Sequence, residues 1–188
     1  MTAIALWAAA GAAFVPSAQA SDEHVATVNM FARSPVVRPF FEHAYGYAVF
    51  PTIGKGGIGI GAAHGKGQVY RGSKLSGYTT MTQLTIGLQL GGQVYSQIIF
   101  FQDKRAYDEF TSGNFEFGAQ ASAVAITAGA QVQAGTTGAG ASTSGVKGSG
   151  DQAGGYYKGM AVFTHAKGGL MYEASIGGQK FTYQPASN

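Results

Sequence analysis

Apolar residues alternate with glycine or polar residues along several segments, most clearly over residues 57–61, 85–91 and 124–133. A period of two places successive side chains on opposite faces of an extended backbone, so these segments predict β-strands. Glycine recurs at the alternate positions, which leaves one face of the strand nearly bare. Such a face allows another backbone to approach closely, or the strand to bend tightly as at a barrel corner.

Two short helices are predicted before the first strand. Within residues 21–44, Ser34 followed by Pro35 is typical of an N-cap with proline at the first helical position. Pro39 should limit this second helix to a turn or two, because proline inside a helix removes a backbone hydrogen bond. The preceding helix is indicated by apolar residues at the spacing of one helical face: Val25, Val28, Phe31 and Ala32.

The middle of the chain departs from strict alternation in three places. Residues 98–101 are an unbroken apolar run, which predicts a strand buried on both faces. Residues 103–110 break the strand pattern and predict one short helix capped by Asp103. Residues 134–155 are rich in Gly, Ser, Thr and Ala with few apolar anchors, so we expect a flexible loop there.

An internal repeat relates the beginning of the strand region to its end. Residues 46–50 (Gly-Tyr-Ala-Val-Phe) precede Lys-Gly-Gly at 55–57, and residues 159–163 (Gly-Met-Ala-Val-Phe) precede Lys-Gly-Gly at 167–169. Two copies are too few for a solenoid. The repeat therefore predicts hairpins joined by Lys-Gly-Gly turns and stacked into one sheet or barrel.

Composition narrows the fold class. Only 11% of the residues are charged and 30 of 188 are glycine, which disfavours a helical bundle because glycine costs ~1 kcal/mol in a helix interior. There is no cysteine, which excludes a disulfide scaffold, a thiolate zinc site and anchoring by a lipidated cysteine. The prediction is a mainly β (α+β) protein: a single antiparallel β-barrel or sandwich-like domain with short N-terminal and central helices.

The first twenty residues predict a signal peptide. They carry no charge, and residues 4–15 form an apolar run that is too short to span a bilayer, which needs ~20 residues. Ala18-Gln19-Ala20 fits a cleavage site. We therefore expect residues 1–20 to be a signal peptide, residues 21–188 to be the domain, and the protein to be exported to the periplasm or cell envelope. The alternative is a buried N-terminal helix.

No catalytic constellation is evident. Residues 54–59 match G-x-G-x-x-G, but the match continues into an alternating strand instead of a helix, so it does not predict a dinucleotide site. The histidines have no partner at metal-ligand spacing, and no nucleophile-elbow motif is present. The prediction is a protein that is not an enzyme and has no metal or cofactor. The alternative is a hydrolase that uses His64 or His165.

The distribution of charged residues says more about function than these motifs do. No acidic residue lies between Glu42 and Asp103. The cations of this stretch adjoin glycine or serine, so we expect them at turns that share one rim of the stacked hairpins and contact anionic lipid headgroups. The alternative is that they are ordinary solvated turn residues. The predicted headgroup-binding residues are Lys55, Lys66, Arg71 and Lys74.

A membrane surface fits this charge better than nucleic acid does. The net charge is only +3 and there is no dense basic helix, so nucleic-acid binding is not predicted. Each cation near an anionic leaflet contributes ~1 kcal/mol, so apolar insertion must add to the affinity. Phe40 and Phe41 are the predicted membrane-inserting residues. The alternative for their segment is a helix packed against the sheet.

Several of these motifs occur together in one known family. Residues 44–51 (Ala-Tyr-Gly-Tyr-Ala-Val-Phe-Pro) followed by Lys-Gly-Gly resemble the opening strand of the SYLF domain family. Further similarities lie at residues 87–93, 107–110, 118–122 and 167–170, so the resemblance covers roughly residues 22–183.

The resemblance implies a lipid-binding module without catalytic residues. Eukaryotic SYLF proteins bind phosphoinositides and some bind actin, and bacterial members are exported envelope proteins. Actin binding is implied here by family analogy only. We therefore expect an exported, non-enzymatic protein, peripheral to the membrane, that binds anionic phospholipid or phosphoinositide. The alternative is a structural or interaction protein of the bacterial envelope that acts through protein–protein contacts.

Overall fold

The computed structural model describes residues 17–118, 125–127, 155–156, 158–168 and 176–187. These residues are mostly strand, with three helices, so the predicted mainly β fold is confirmed. The helices are α1 (Ser17–Ala32), α2 (Arg38–His43) and α3 (Lys104–Phe110). The strands are β1 (Gly46–Arg71), β2 (Lys74–Phe101), β3 (Phe115–Glu116), β4 (Ala125–Thr127), β5 (Met160–Gly168) and β6 (Gln179–Pro185).

All six strands belong to one sheet built on β2. β1 pairs antiparallel with β2 from the Gly46–Phe101 pair to the Arg71–Lys74 pair. On its other edge, β2 pairs first with β6 over residues 77–83 and then with β5 over residues 94–101. β3 is antiparallel to β6, and β4 is parallel to β5. The two halves of β2 thus carry different neighbours.

The β1–β2 ribbon folds back on itself. Its pairing is irregular between Ile58 and Ile60, which marks a bend near the middle of β1. The rings of Tyr47 and Tyr70, near opposite ends of β1, stack with centroids 5.0 Å apart. Across the interior, Gln97 Nε2 donates to Gln179 Oε1 at 2.9 Å, and the reciprocal bond measures 3.1 Å. The two halves of the sheet therefore face each other.

Alternating glycines make this close approach possible. A Cβ at Gly67 would lie 2.7 Å from the backbone oxygen of Val49 and from the ring of Phe50. A Cβ at Gly65 would lie 2.6 Å from the side chain of Ile53. Close approach is thus seen at Gly65 and Gly67, which flank Lys66 where the sequence predicts a turn; for the alternating glycines of residues 57–61 and 85–91 it stays a prediction.

Apolar clusters lie on both faces of the half-sheet formed by the start of β1, the end of β2 and β5. The inner cluster includes Phe50, Ile99 and Phe101 and packs against α3. The outer cluster, which includes Ile98 and Phe100, is covered by α1 and α2. Residues 98–101 are completely buried, so the prediction of a strand buried on both faces is confirmed.

Both copies of the repeat pair with this buried segment of β2. Val49 of the first copy lies opposite Ile98, and Val162 of the second lies opposite Ile99. β1 and β5 thus flank the same stretch of β2, which confirms that the repeat belongs to a single sheet. The predicted Lys-Gly-Gly turn is wrong for the first copy, because residues 55–57 lie inside β1 opposite residues 91–93.

The second helix begins later than the sequence predicts. Its first residue is Arg38, and residues 33–37 form turns in which the Val37 and Arg38 amides donate to the Ser34 carbonyl oxygen. Pro39 occupies the first turn of α2, where its missing N–H costs no helical hydrogen bond. The prediction of a helix starting at Pro35 and limited by Pro39 is therefore wrong.

Two other predictions concern segments that are largely not described. The loop proposed for residues 134–155 lies outside the described residues except for Gly155. Residues 1–16 of the predicted signal peptide also lie outside them, and α1 runs through the predicted cleavage site after Ala20. Export stays a prediction.

An ion pair connects α1 to the sheet. Glu23 Oε1 accepts hydrogen bonds from Thr52 Oγ1 at 2.7 Å and from Lys167 Nζ at 3.3 Å. The bond from Thr52 is the main cause that holds the pKa of Glu23 below its ordinary value of 4.5, with the charge of Lys167 acting in the same direction. Lys167 belongs to the second copy of the repeat.

We expect this ion pair to make a small, pH-dependent contribution to stability. Because folding lowers the pKa of Glu23, its contribution is present above about pH 4.5 and is lost as the pH falls through the folded-state pKa. Glu23→Gln should lower the melting temperature by about 1–3 °C at pH 7 and by less at pH 3. Other carboxylates titrate alike in both proteins, so a difference independent of pH would contradict the assignment.

Candidate anion-binding site

Two cations lie directly opposite each other where β1 turns into β2. Arg71 pairs with Lys74 across a turn formed by Gly72 and Ser73. Gly72 has φ +59°, a left-handed conformation that glycine adopts without steric cost. Like charges directly across two strands are destabilising, and neither side chain forms an ion pair with any described carboxylate. A bound anion would relieve this repulsion.

A cavity of about 250 Å³ opens beside this cation pair. We call it the hairpin-end pocket. Its described lining combines two cations, three hydroxyl groups and two apolar side chains, and contains no carboxylate. The lining residues are Arg71, Lys74, Leu75, Ser76, Tyr107, Tyr183 and Ala186.

The three hydroxyl groups are joined by hydrogen bonds. Tyr183 Oη donates to the backbone oxygen of Ser76 at 2.9 Å, and Ser76 Oγ donates to the backbone oxygen of Val69 at 3.2 Å. Tyr107 Oη donates to Ser76 Oγ at 2.8 Å. Burial raises the pKa of Tyr107. A phenol is already neutral at physiological pH at its ordinary pKa of 10.0, and this shift keeps it so.

Three separate elements position these groups. Asp103 caps α3 by accepting from the Ala106 amide at 2.8 Å, which fixes the start of the helix that carries Tyr107. The ring of Tyr107 packs edge-on against Phe101. Tyr183 comes from β6, and its ring lies over Gly77, where a Cβ would overlap it. The predicted helix capped by Asp103 is thus confirmed and holds part of the pocket.

The structure brings together only two of the four predicted headgroup-binding residues. Lys55 and Lys66 lie within β1, not at turns, so their predicted location at glycine-rich turns is wrong. Lys66 lies five positions before Arg71 in the same strand, which corresponds to ~17 Å of extended backbone. The shared cationic rim is therefore wrong as well. Headgroup binding by Lys55 and Lys66 stays a prediction, without the common location that motivated it.

The two predicted membrane-inserting residues pack against the sheet. The ring of Phe40 has its centroid 4.9 Å from that of Phe163, and the ring of Phe41 lies edge-on to Phe100 at 4.8 Å. Both side chains are half-buried. Their insertion into a membrane stays a prediction, and it would require these ring contacts to break.

The arrangement of the described residues does not support the hydrolase alternative. Within them, neither His64 nor His165 has a hydrogen bond to a hydroxyl or carboxylate group, and no cluster of three potential metal ligands occurs. In the part of the chain that the structure describes, no helix has the length and apolar character needed to cross a membrane.

Comparisons with known proteins agree with the sequence resemblance. The family model Ysc84, described as "Las17-binding protein actin regulator", matches residues 82–188. Beta cell expansion factor A from Aeromonas veronii is 30% identical over 158 residues, which is 83% of this chain and 52% of that protein. The chain thus spans about half the length of this curated relative. The family match includes Tyr107 and Tyr183 but begins after Arg71, Lys74 and Ser76.

Proposed function

The chain belongs to the SYLF family, represented by the Ysc84 model, and on this premise we propose that it binds anionic phospholipid at a membrane surface as a non-enzymatic, peripheral protein. The observation that carries the proposal is the pair Arg71 and Lys74, which lie directly opposite each other, lack a described carboxylate partner and adjoin a polar pocket. Export to the periplasm or cell envelope is part of the proposal and depends on residues 1–20 acting as a signal peptide.

The magnitudes require more than charge alone. Two cations near an anionic leaflet contribute ~2 kcal/mol together, which by itself is weaker than millimolar binding. Polar contacts inside the hairpin-end pocket would supply additional free energy, since hydrogen bonds to a charged group contribute about 1.5–3 kcal/mol each. We therefore assign the electrostatic attraction to the membrane surface to the two cations, and the remaining binding free energy to polar contacts inside the hairpin-end pocket.

Vesicle binding at increasing salt tests this proposal. Exposed charges are screened within ~10 Å at 0.1 M salt, so binding to vesicles with anionic lipid should weaken as NaCl is raised from 50 to 500 mM. Neutral phosphatidylcholine vesicles are the control and should bind little at any salt concentration. Binding that is equal for both compositions, or independent of salt, would contradict the proposal.

The alternative function is an interaction protein that acts through protein contacts. Ile60 and Leu84 favour it, because their side chains are 68% and 78% exposed near the bend of the β1–β2 ribbon. The family description names actin regulation, so actin filaments are one partner to include. Absence of vesicle binding, together with self-association or co-sedimentation with filaments, would favour this alternative.

A further inference from the structure

We propose that Ile60 and Leu84, at the bend of the β1–β2 ribbon, insert at the boundary between lipid headgroups and acyl chains, in the role that the sequence assigns to Phe40 and Phe41. Because the partner is a lipid surface, this role rests on the proposed function. It adds an apolar anchor and an orientation on the membrane, which the cations of the hairpin end do not provide.

The exposed face of the ribbon ends in apolar side chains. Even-numbered residues from 60 to 66 are exposed and odd-numbered residues from 61 to 67 are buried, as in a sheet with one solvated face. Ile60 is 68% and Leu84 is 78% exposed. Leu84 lies opposite Ala62, two positions after Ile60, so Ile60 and Leu84 are diagonal neighbours ~7–8 Å apart. We call these three residues the bend patch.

The surface that follows the bend patch is positively charged. Lys66 lies on the same exposed face, four positions or ~13 Å of extended backbone after Ala62. It forms no ion pair with a carboxylate of the described residues. Glu116 is the only carboxylate in the described strands, and it is paired with Lys180. An apolar patch beside unopposed positive charge is complementary to an anionic leaflet.

The bend patch suits a bilayer better than a protein partner. A stable protein interface uses ~20–30 residues on each side, whereas the described patch has three apolar residues and is followed by His64 and Thr82, both exposed and polar. Insertion requires no rearrangement, because both large side chains of the patch already face solvent. Phe40 and Phe41 would first have to leave their ring contacts.

Contact at both ends of the ribbon determines how the chain lies on the membrane. Ile60 and Arg71 are eleven positions apart in β1, which is ~36 Å of extended backbone. Insertion of the bend patch together with headgroup contact at the hairpin end therefore requires this half of the ribbon to lie along the membrane. Lys66 and Tyr78, both exposed on the face toward the membrane, are then at headgroup level, where such side chains are favoured.

Fluorescent labels measure the insertion directly. The chain has no cysteine, so Ile60→Cys and Leu84→Cys each provide a single site for the environment-sensitive dye NBD. With vesicles of phosphatidylcholine and phosphatidylglycerol, emission from both sites should rise and shift to the blue, and nitroxide-labelled acyl chains should quench it. Val25→Cys is the matched control, because Val25 is a 56% exposed apolar residue on α1. Its label should show neither change.

Serine variants measure what the insertion contributes to affinity. Shallow insertion realises part of the transfer free energy of the two side chains, so Ile60→Ser/Leu84→Ser should weaken binding to the same vesicles by roughly tenfold. The loss should be similar at 50 and 500 mM NaCl, since salt screens charges and not apolar contacts. Val25→Ser should bind within about twofold of the parent protein. Melting temperatures should stay within about 2 °C, because all three side chains are exposed.

The outcomes separate this role from the proposed function. Vesicle binding with unchanged NBD emission at both ribbon sites, or with full affinity in the double serine variant, would overturn insertion and leave anionic-lipid binding intact. Absence of vesicle binding by the parent protein would contradict both. An NBD change that depends on protein concentration and needs no vesicles would overturn insertion in favour of self-association through the bend patch.

Discussion

Replacing Arg71 and Lys74 together by serine is expected to weaken binding to anionic vesicles by roughly thirtyfold, because each cation near an anionic leaflet contributes ~1 kcal/mol and 1.4 kcal/mol corresponds to tenfold. Both side chains are exposed, and removing them relieves a repulsion between like charges across the strands. Stability should therefore be unchanged or slightly increased. Vesicle co-sedimentation and thermal unfolding measure the two effects separately.

The matched control removes the same net charge elsewhere. Arg33 and Arg38 are exposed cations near the α1–α2 connection, and the Arg33→Ser/Arg38→Ser variant should lose at most a few-fold in vesicle binding. A third variant, Lys55→Ser/Lys66→Ser, tests the other two predicted headgroup residues. A similar loss in all three variants would show that net charge, and not the hairpin end, determines binding.

Replacing Gly67 by alanine should destabilise the fold by about 1–3 kcal/mol, the usual cost of overpacking a close contact. The new Cβ would lie 2.7 Å from the Val49 backbone oxygen, and backbone cannot move aside as a flexible side chain can. For a chain of this size the melting temperature should fall by roughly 3–10 °C. Differential scanning calorimetry measures the change.

Gly54 provides the control within the same strand. A Cβ at Gly54 would meet no atom within 4 Å, so Gly54→Ala should change the melting temperature by only about 1–2 °C. Comparing Gly67→Ala with Gly54→Ala separates the destabilisation caused by the close approach of the two sheet halves from the general effect of removing a glycine. Equal effects at the two positions would show that Gly67 is not a contact point.

Local features of the sequence predicted local features of the structure. The two-residue period identified strands because alternation is a property of the extended backbone itself. Asp103 identified the start of α3 because capping depends on neighbouring residues. The predicted location of Lys55 at a turn is wrong because the glycines next to it were interpreted as evidence of a turn. Residues 54–57 instead pair with residues 91–94 inside the long β1–β2 ribbon, and the local sequence does not distinguish a glycine in a strand from a glycine in a turn.

Only part of the candidate site could be predicted, because local sequence does not show which distant segments meet in the fold. Arg71 and Lys74 are close in sequence, and the intervening Gly72 indicates a turn. Tyr107 and Tyr183 lie 31 and 107 residues away from Ser76, to which each is hydrogen-bonded. Nothing in their local sequence assigns them to a common pocket. Their convergence depends on β6 pairing with the first half of β2, which periodicity alone does not specify.

The long β1–β2 ribbon also has a consequence for the order of folding. Its two strands are joined by Gly72 and Ser73 alone, so their pairing can start with a small entropy cost of loop closure and extend like a zipper. β6 must be recruited from about a hundred residues later in the chain, which is slower. We therefore expect Arg71 and Lys74 to be juxtaposed early on the folding pathway, before Tyr183 arrives to complete the cavity next to them.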